Sequence, residues 1–366
     1  MKKWIALSLA LLMTLSLCAC GTDDSGKKED GSKDGKVTAA KLTQVVMTEK
    51  SSTGENHTMK AVLEYDENQN VIASKTYLED KLYFECSFAK DMNKPLLEVS
   101  YNDNGDVTDR TEYTYDEKGN CVERISTYNY DDQTVTNKRV STYDANGNVL
   151  TEKTYENGEL SYEQRYTYTA DGKLARKAYI NKNGDEESVT EKTYDEQGNI
   201  LSVKVDGMLS GSYETYENTY EDGKLLEVKI YESGELLSLT RYDSDGNRIL
   251  HIGYDSESGE EWSRTEYAYE NGKLVKVVDF DNGEKTYEEL YTYNAAGKLT
   301  ERSRSVTDGK SQRSVYRYDE AGNITGFKRY EGDEVKVDYT MTYETVTVSE
   351  AVAEKLREIA DSLGLD

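Results

Sequence analysis

One short phrase constrains this chain more than anything else in it: Tyr-x-Tyr-Asp-x-x-Gly-Asn followed by an apolar residue. It stands in full at Tyr113 to Cys121 and Tyr316 to Ile324, and with small changes at Tyr166 to Leu174, Tyr267 to Leu274 and Tyr291 to Leu299. An aromatic residue or a valine recurs in the same phase from Tyr65 to Tyr343, about every 12.6 residues, so an internal repeat organises the chain. Each step holds a run of about seven residues, such as Leu225 to Tyr231, alternating and β-branched as a strand requires. Between runs stand Asn-Gly or Asp-Gly pairs: Asn157-Gly158, Asp171-Gly172, Asp222-Gly223, Asn271-Gly272 and Asn282-Gly283. These supply the positive φ angles of tight hairpins at little steric cost. Longer versions, such as Asp144 to Asn148, suit a type I turn closed by a glycine bulge. Turns this short return the chain directly onto its neighbour. The pattern predicts an all-β fold, an antiparallel meander of about 22–24 short strands.

Tyrosine ends one strand and Leu, Val or Ile starts the next, an aromatic–aliphatic cross-strand pair worth about 0.2–1 kcal/mol. Strand middles are thinner, as at Thr151, Glu152 and Lys153 or Thr300 to Ser303. Hydrophobic residues make up 36% of the chain, and 31 of them are tyrosine. Neither face is continuously apolar, so no thick sandwich core is expected. A sheet beyond about ten strands curls or splits, which points to a long twisted or spiral ribbon held by neighbour contacts. The single proline, Pro95, fits such a ladder, because proline cannot donate to it.

The phrase resembles the YD repeat of Rhs proteins and teneurins, and the likeness covers Tyr65 to Tyr343. It implies hairpins wound into a spiral β-sheet shell. Rhs toxins carry a proline-bearing core motif followed by a toxin; here Pro95 is the only proline and no toxin-sized segment follows Tyr343 in this sequence. The resemblance therefore implies a fold and no toxin function, and an open segment of shell rather than a closed one.

Lys2 and Lys3 precede an apolar run from Trp4 to Leu17, too short for a comfortable transmembrane helix. It ends in Leu17-Cys18-Ala19-Cys20-Gly21, which resembles the bacterial lipobox. The resemblance implies cleavage before Cys20, a diacylglycerol on its thiol and attachment to the bilayer; a plain secretory signal is the alternative. Two or more acyl chains hold a protein stably at a membrane. Residues 1–19 are thus a lipoprotein signal peptide and 20–38 the lipidated cysteine and a flexible polar tether. Residues 39–348 form the repeat domain and 349–366 a C-terminal capping helix. The expected location is the outer face of the cell membrane, on a Gram-positive surface in preference to a Gram-negative envelope.

At the repeat's ends, Lys41 to Met47 and Thr58 to Tyr65 suit an entry hairpin. Ser349 is an N-cap and Gly364 a stop for one α-helix, with Val352, Leu356, Ile359 and Leu363 on one face. Its expected task is to cover the last sheet edge; docking a partner is the second reading. Cys86 and Cys121 fall three strand steps apart, roughly 14 Å at about 4.8 Å each. That exceeds the ~7 Å Cα limit for a disulfide, so both read as small buried hydrophobes.

The net charge of -26 disfavours nucleic acid and suits a solvated extracellular surface. His57 and His251 stand about 190 residues apart with no nucleophile or metal-ligand spacing around them, so each reads as an incidental residue. Carboxylates are too many for any pair to argue for a glycosidase. Asn102 to Asp106 and Asp243 to Asn247 resemble pieces of calcium loops, but neither has the closing glutamate, and hairpin chemistry explains the same residues. Calcium is thus a weak reading, and no other cofactor is implied. The tyrosine rows read as packing beside turns, with ligand stacking second. Trp262 is the aromatic anchor for a glycan if such a site exists. The sequence thus points to a monomeric, lipid-anchored, non-enzymatic binding or adhesion module for a glycan, wall polymer or surface protein. A structural spacer without a ligand is the alternative, and a hydrolase a minor one.

Overall fold

The computed structural model describes residues 36–361, apart from 52, 90–93, 131–132, 208–211, 308 and 310. The signal segment, Cys20, most of the tether, Leu363 and Gly364 lie outside the described residues. Twenty-four strands precede one helix, α1 (Glu350–Asp361), so the all-β meander with a terminal helix is what the chain forms. The chain divides into two compact units, residues 138–313 and the remainder on either side. The first unit holds β1 (Lys36–Lys50), β2 (Asn56–Tyr65), β3 (Val71–Leu78), β4 (Lys81–Phe88), β5 (Pro95–Tyr101), β6 (Val107–Tyr115) and β7 (Cys121–Tyr130). It also holds β23 (Ile324–Glu331), β24 (Glu334–Ser349) and α1. The second runs through β9 (Val149–Glu156), β10 (Glu159–Tyr168), β11 (Leu174–Asn181), β12 (Glu186–Tyr194), β13 (Ile200–Gly207), β14 (Ser212–Glu221) and β15 (Lys224–Glu232). It continues through β16 (Glu235–Tyr242), β17 (Arg248–Tyr254), β18 (Glu261–Glu270), β19 (Lys273–Asp281), β20 (Glu284–Tyr293) and β21 (Leu299–Val306). The divisions fall within β8 (Gln133–Tyr143) and β22 (Gln312–Tyr318).

The two ends of the strands are chemically different. Turns leading from an even to an odd strand carry the Tyr-Asp phrase, and we call this the signature end. At β6–β7, Asp116 Oδ1 accepts the backbone N–H groups of Lys118 and Asn120, and Asn120 Nδ2 donates to Asp116 Oδ2 at 2.9 Å. The same clasp joins Asp66 to Asn70, Asp144 to Asn148 and Asp243 to Asn247. These bonds to the ionised form hold the Asp116 carboxyl below its usual range, the Asn120 side chain contributing most. Gly119, at φ +88, closes the turn in a conformation that suits glycine. At the opposite end two-residue turns are common, with Asn157 and Gly158 both at positive φ.

Entry strands β1 and β2 pair as expected, Met47 opposite Met59. The edge of the last strand, however, is not left for a helix to cover. β24 pairs along nearly all its length with β1, Lys36 opposite Ser349 and Glu49 opposite Val337. Backbone groups of the final strand thus find partners in the first one, which satisfies them more completely than a helix can. Helix α1 lies instead against β1 and β24, its Ala353, Leu356 and Ile359 buried. A second correction follows. The first unit has a true core, in which Leu42, Met59, Ala61, Val71 and Ala353 are fully enclosed with Leu356 beside them. Its residues come from the first strands and the last strand and helix, outside the tyrosine phrase that suggested a thin sheet.

Cys86, buried on β4, and Cys121, half-buried on β7, are both thiols, as the strand count requires.

Candidate functional site

The tyrosine rows are the first candidate, and their hydroxyls are already engaged. Tyr65, Tyr115, Tyr168, Tyr194, Tyr269, Tyr293 and Tyr343 each donate to a backbone carbonyl on the preceding strand, at 2.5 to 3.1 Å. For Tyr168 the acceptor is Val149, and for Tyr194 it is Leu174: the first residue after the previous signature turn. One side chain thus ends its own strand and caps the start of its neighbour. Burial, with Tyr343 nearby, pushes the Tyr65 hydroxyl well above its ordinary value, and burial raises Tyr168 as well. A lysine from the preceding signature turn completes the joint in places. Lys273 lies 5.1 Å from the Tyr293 ring and donates to the Gly297 carbonyl at 2.6 Å. These rows are structural; a ligand would have to displace backbone bonds to use their hydroxyls.

Trp262 stands apart from that scheme. In the β17–β18 hairpin Gly253 pairs with Ser263 and Tyr254 with Glu261, which leaves Trp262 as the extra residue of a bulge. Half its surface is exposed. Its indole lies over Gly253, where an added Cβ would meet the indole nitrogen at 2.9 Å and Ser263 Oγ at 2.6 Å. A glycine in mid-strand here makes room for the ring. The outcome is an aromatic platform seated on backbone and open to solvent. Tyr213, in the same unit, and Tyr130, in the first, are also well exposed. Cys20, the other residue singled out from sequence, lies outside the described residues.

The remaining candidates dissolve into local structure. Asn102 Oδ1 accepts the N–H groups of Asn104 and Asp106, and Asp243 clasps its own turn, so both calcium-like loops spend their oxygens on themselves. Among the described residues no three acidic, histidine or cysteine side chains converge as a metal would need. His57 faces Glu79 at 3.4 Å; His251 bonds Thr240 through Nδ1 at 2.9 Å. Burial, and Arg248 after it, lowers the His251 pKa. Glu289 is buried between Arg302 at 3.0 Å and Arg304 at 3.7 Å and accepts from Tyr291, whose hydroxyl burial pushes up to about 12. Glu163 is held by Arg165 and Lys153 in the same manner. In the first unit an open cleft of 460 Å³ runs beside the phrase itself, lined by Leu96, Tyr113 and Lys118 among others.

No protein-family model matches the chain, and no curated protein matches it. Among solved structures, the crystal structure of TcdB2-TccC3-TEV is similar over 85% of this chain and 21% of its own, at 14% identity and a TM-score of 0.38. A structure of TcdB2-TccC3 is similar over the same shares, at 12% identity and a TM-score of 0.33. A porin-like protein from Bacteroides uniformis is similar over 83% of this chain and 96% of its own, at 10% identity and a TM-score of 0.25. This chain thus spans about a fifth of the length of the first two. Identities and scores this low carry no activity or partner across.

Proposed function

We propose that the chain is a lipid-anchored surface protein whose repeat sheet serves as a non-enzymatic binding module, Trp262 being one of its contact residues. The observation that carries this reading is Trp262 itself, an indole half open to solvent at a hairpin bulge, with Gly253 leaving room for it beneath. A large flat aromatic held at low entropy suits a sugar ring or an apolar side chain of a surface protein. The carboxylate setting supports the non-enzymatic part. A glycosidase needs one carboxyl raised so that it stays protonated, whereas Glu163, Glu227 and Glu288 are all drawn down, chiefly by bonds to Arg165, Arg241 and Lys276. Anchoring rests on the Leu17 to Gly21 sequence.

Two measurements test it. Wild type is expected in the membrane fraction and Cys20→Ser in the medium; equal partition of the two removes the anchor. Arrays of wall glycans and surface proteins should retain the full-length chain, and Trp262→Ala should weaken retention about tenfold, in line with the roughly 1–1.5 kcal/mol that an aromatic contact contributes. Retention of nothing, or no effect of Trp262→Ala, rejects the binding reading. The hairpin-to-hairpin joints at Tyr168, Tyr194 and Tyr293 favour a spacer as second reading; deleting one two-strand repeat should then shorten the protein without loss of function.

A further inference from the structure

At every signature-end hairpin for which a register is defined, the pairing slips by one residue just after the turn. Tyr194 pairs with Ile200 and Thr193 with Ser202, so Leu201 is the extra residue of a bulge. Leu226, Ile249 and Val275 are the extra residues in their own hairpins, and Leu150 holds the same place after the turn at Asp144. Leu150, Leu201 and Ile249 are each more than a third exposed; Leu226, between Leu201 and Ile249, and Val275, beyond Ile249, are half-buried. In the second unit this makes a row of aliphatic side chains on alternate strands from β9 to β19, with the small Ala175 holding the place on β11.

Hairpin chemistry does not ask for it. At the opposite end the same bulge position holds Ser161, Glu187 and Thr286 beside Leu237 and Trp262, so the backbone accepts polar residues there. Even at the signature end Thr300 is accepted. Exposed aliphatic side chains in a regular row, at a place that tolerates polar ones, mark an interaction surface.

Spacing and charge say what fits. Alternate strands lie about 9.6 Å apart, close to one turn of a polyproline II helix, whose three residues rise roughly 3.1 Å each and keep every third side chain on one face. The signature-end turns of this unit carry nine acidic residues and four lysines. Three of those lysines are bent into neighbouring turns: Lys173 over Gly198, Lys224 onto Ser244 and Lys273 onto Gly297. An aliphatic row bordered by carboxylates repels nucleic acid and anionic lipid, and without aromatic faces it offers little to a sugar. We propose that the signature end of the second unit is a docking strip for a basic polypeptide in the polyproline II conformation, with an aliphatic side chain at about every third residue and lysine or arginine between.

This rests on the binding-module reading and specifies one surface of it, separate from Trp262 at the opposite strand ends. The full-length chain would be titrated into a fluorescent peptide of Leu-Lys-Lys repeats, read by anisotropy at low and high salt, beside a Leu-Glu-Glu peptide and vesicles with and without anionic lipid. Two variants accompany it: Leu150→Thr/Leu201→Thr/Ile249→Thr, using the residue already present at 300, and Glu196→Lys/Glu221→Lys/Glu270→Lys in the exposed turns. Each should weaken binding of the basic peptide tenfold or more, salt should weaken it further, and the acidic peptide should not bind. Unchanged affinity in the threonine variant would show charge alone at work and overturn the strip. Preferential binding to vesicles, lost in that variant, would overturn it in favour of a lipid surface. Should the threonine variant melt early, the single changes Leu201→Thr and Ile249→Thr read the same effect, and no loss in either again overturns it. Retention on glycan or protein arrays that depends on Trp262 but ignores the strip would reject this inference and leave the proposed function standing.

Discussion

The two units are built from one repeat but held together differently. In the first, the opening and closing strands and α1 enclose Leu42, Met59, Val71 and Leu356 at the level of an ordinary core. In the second, buried apolar side chains are few, Ala178, Ile180, Leu239, Val277 and Val278 among them, and strand middles carry ion pairs such as Arg302–Glu289 and Arg241–Glu227. A hairpin repeat can therefore be held by joints at strand ends and strand-middle ion pairs with only a thin apolar layer. Where the chain must also tie its beginning to its end, it adds a core.

The largest test of that contrast is a cavity in each unit. Met59→Ala should cost about 2–5 kcal/mol, as for a fully enclosed core side chain, and Leu239→Ala, on a thinner sheet that can close up, clearly less. Denaturant unfolding followed by amide exchange in each unit reads both values; equal losses would mean that the second unit hides a core as tight as the first. Next come the tyrosine caps. Tyr65→Phe strands the Leu42 carbonyl in the core and should cost about 1–3 kcal/mol, whereas Tyr168→Phe, beside solvent at Val149, should cost about 0.5–1.5 kcal/mol. A reversed order in melting temperatures would break the distinction between core and joint.

The smallest effect per site is that of acid. The Asp144 and Asp243 carboxyls sit below their ordinary value chiefly through the Asn148 and Asn247 side chains, and Asp171 is lowered to about 2 first by Lys173. For a carboxyl lowered on folding, the unfolded chain binds more protons, so its stabilising contribution is complete above the unfolded value and fades as pH falls through the folded one. As pH falls below about 4 the clasps should therefore open, and with less core behind them those of the second unit should lose amide protection first, the contribution of Asp171 persisting to about pH 2. Simultaneous loss in both units would argue against this ranking.

Much of the fold was legible because its instructions are local. Asp116, Gly119 and Asn120 state their turn within five residues, and of the positions phased from Tyr65 onward all but Tyr343 lie within two residues of a strand end. What escaped is non-local. Nothing near Lys36 announces that it will pair with Ser349, and the face of Leu42, Val45 and Met47 needs α1 to complete it. Trp262 was legible by its rarity, but its seat on Gly253 depends on a register slip between two strands. The aliphatic row lay in plain view as the second residue after most signature turns of the second unit. It was overlooked because the first, facing the tyrosine, was enough to explain the hairpin.

The pairing of β1 with β24 has a temporal consequence. Thr43 donates to the carbonyl of Thr342, a partner 299 residues further along the chain. Hairpins in between can close as soon as they emerge, since each needs only its neighbour. β1 can pair with β2 at once, but its other edge must wait for β24, and until then the core that β24 and α1 complete stays open. The joint between β1 and β24 is therefore the last of the ladder to close.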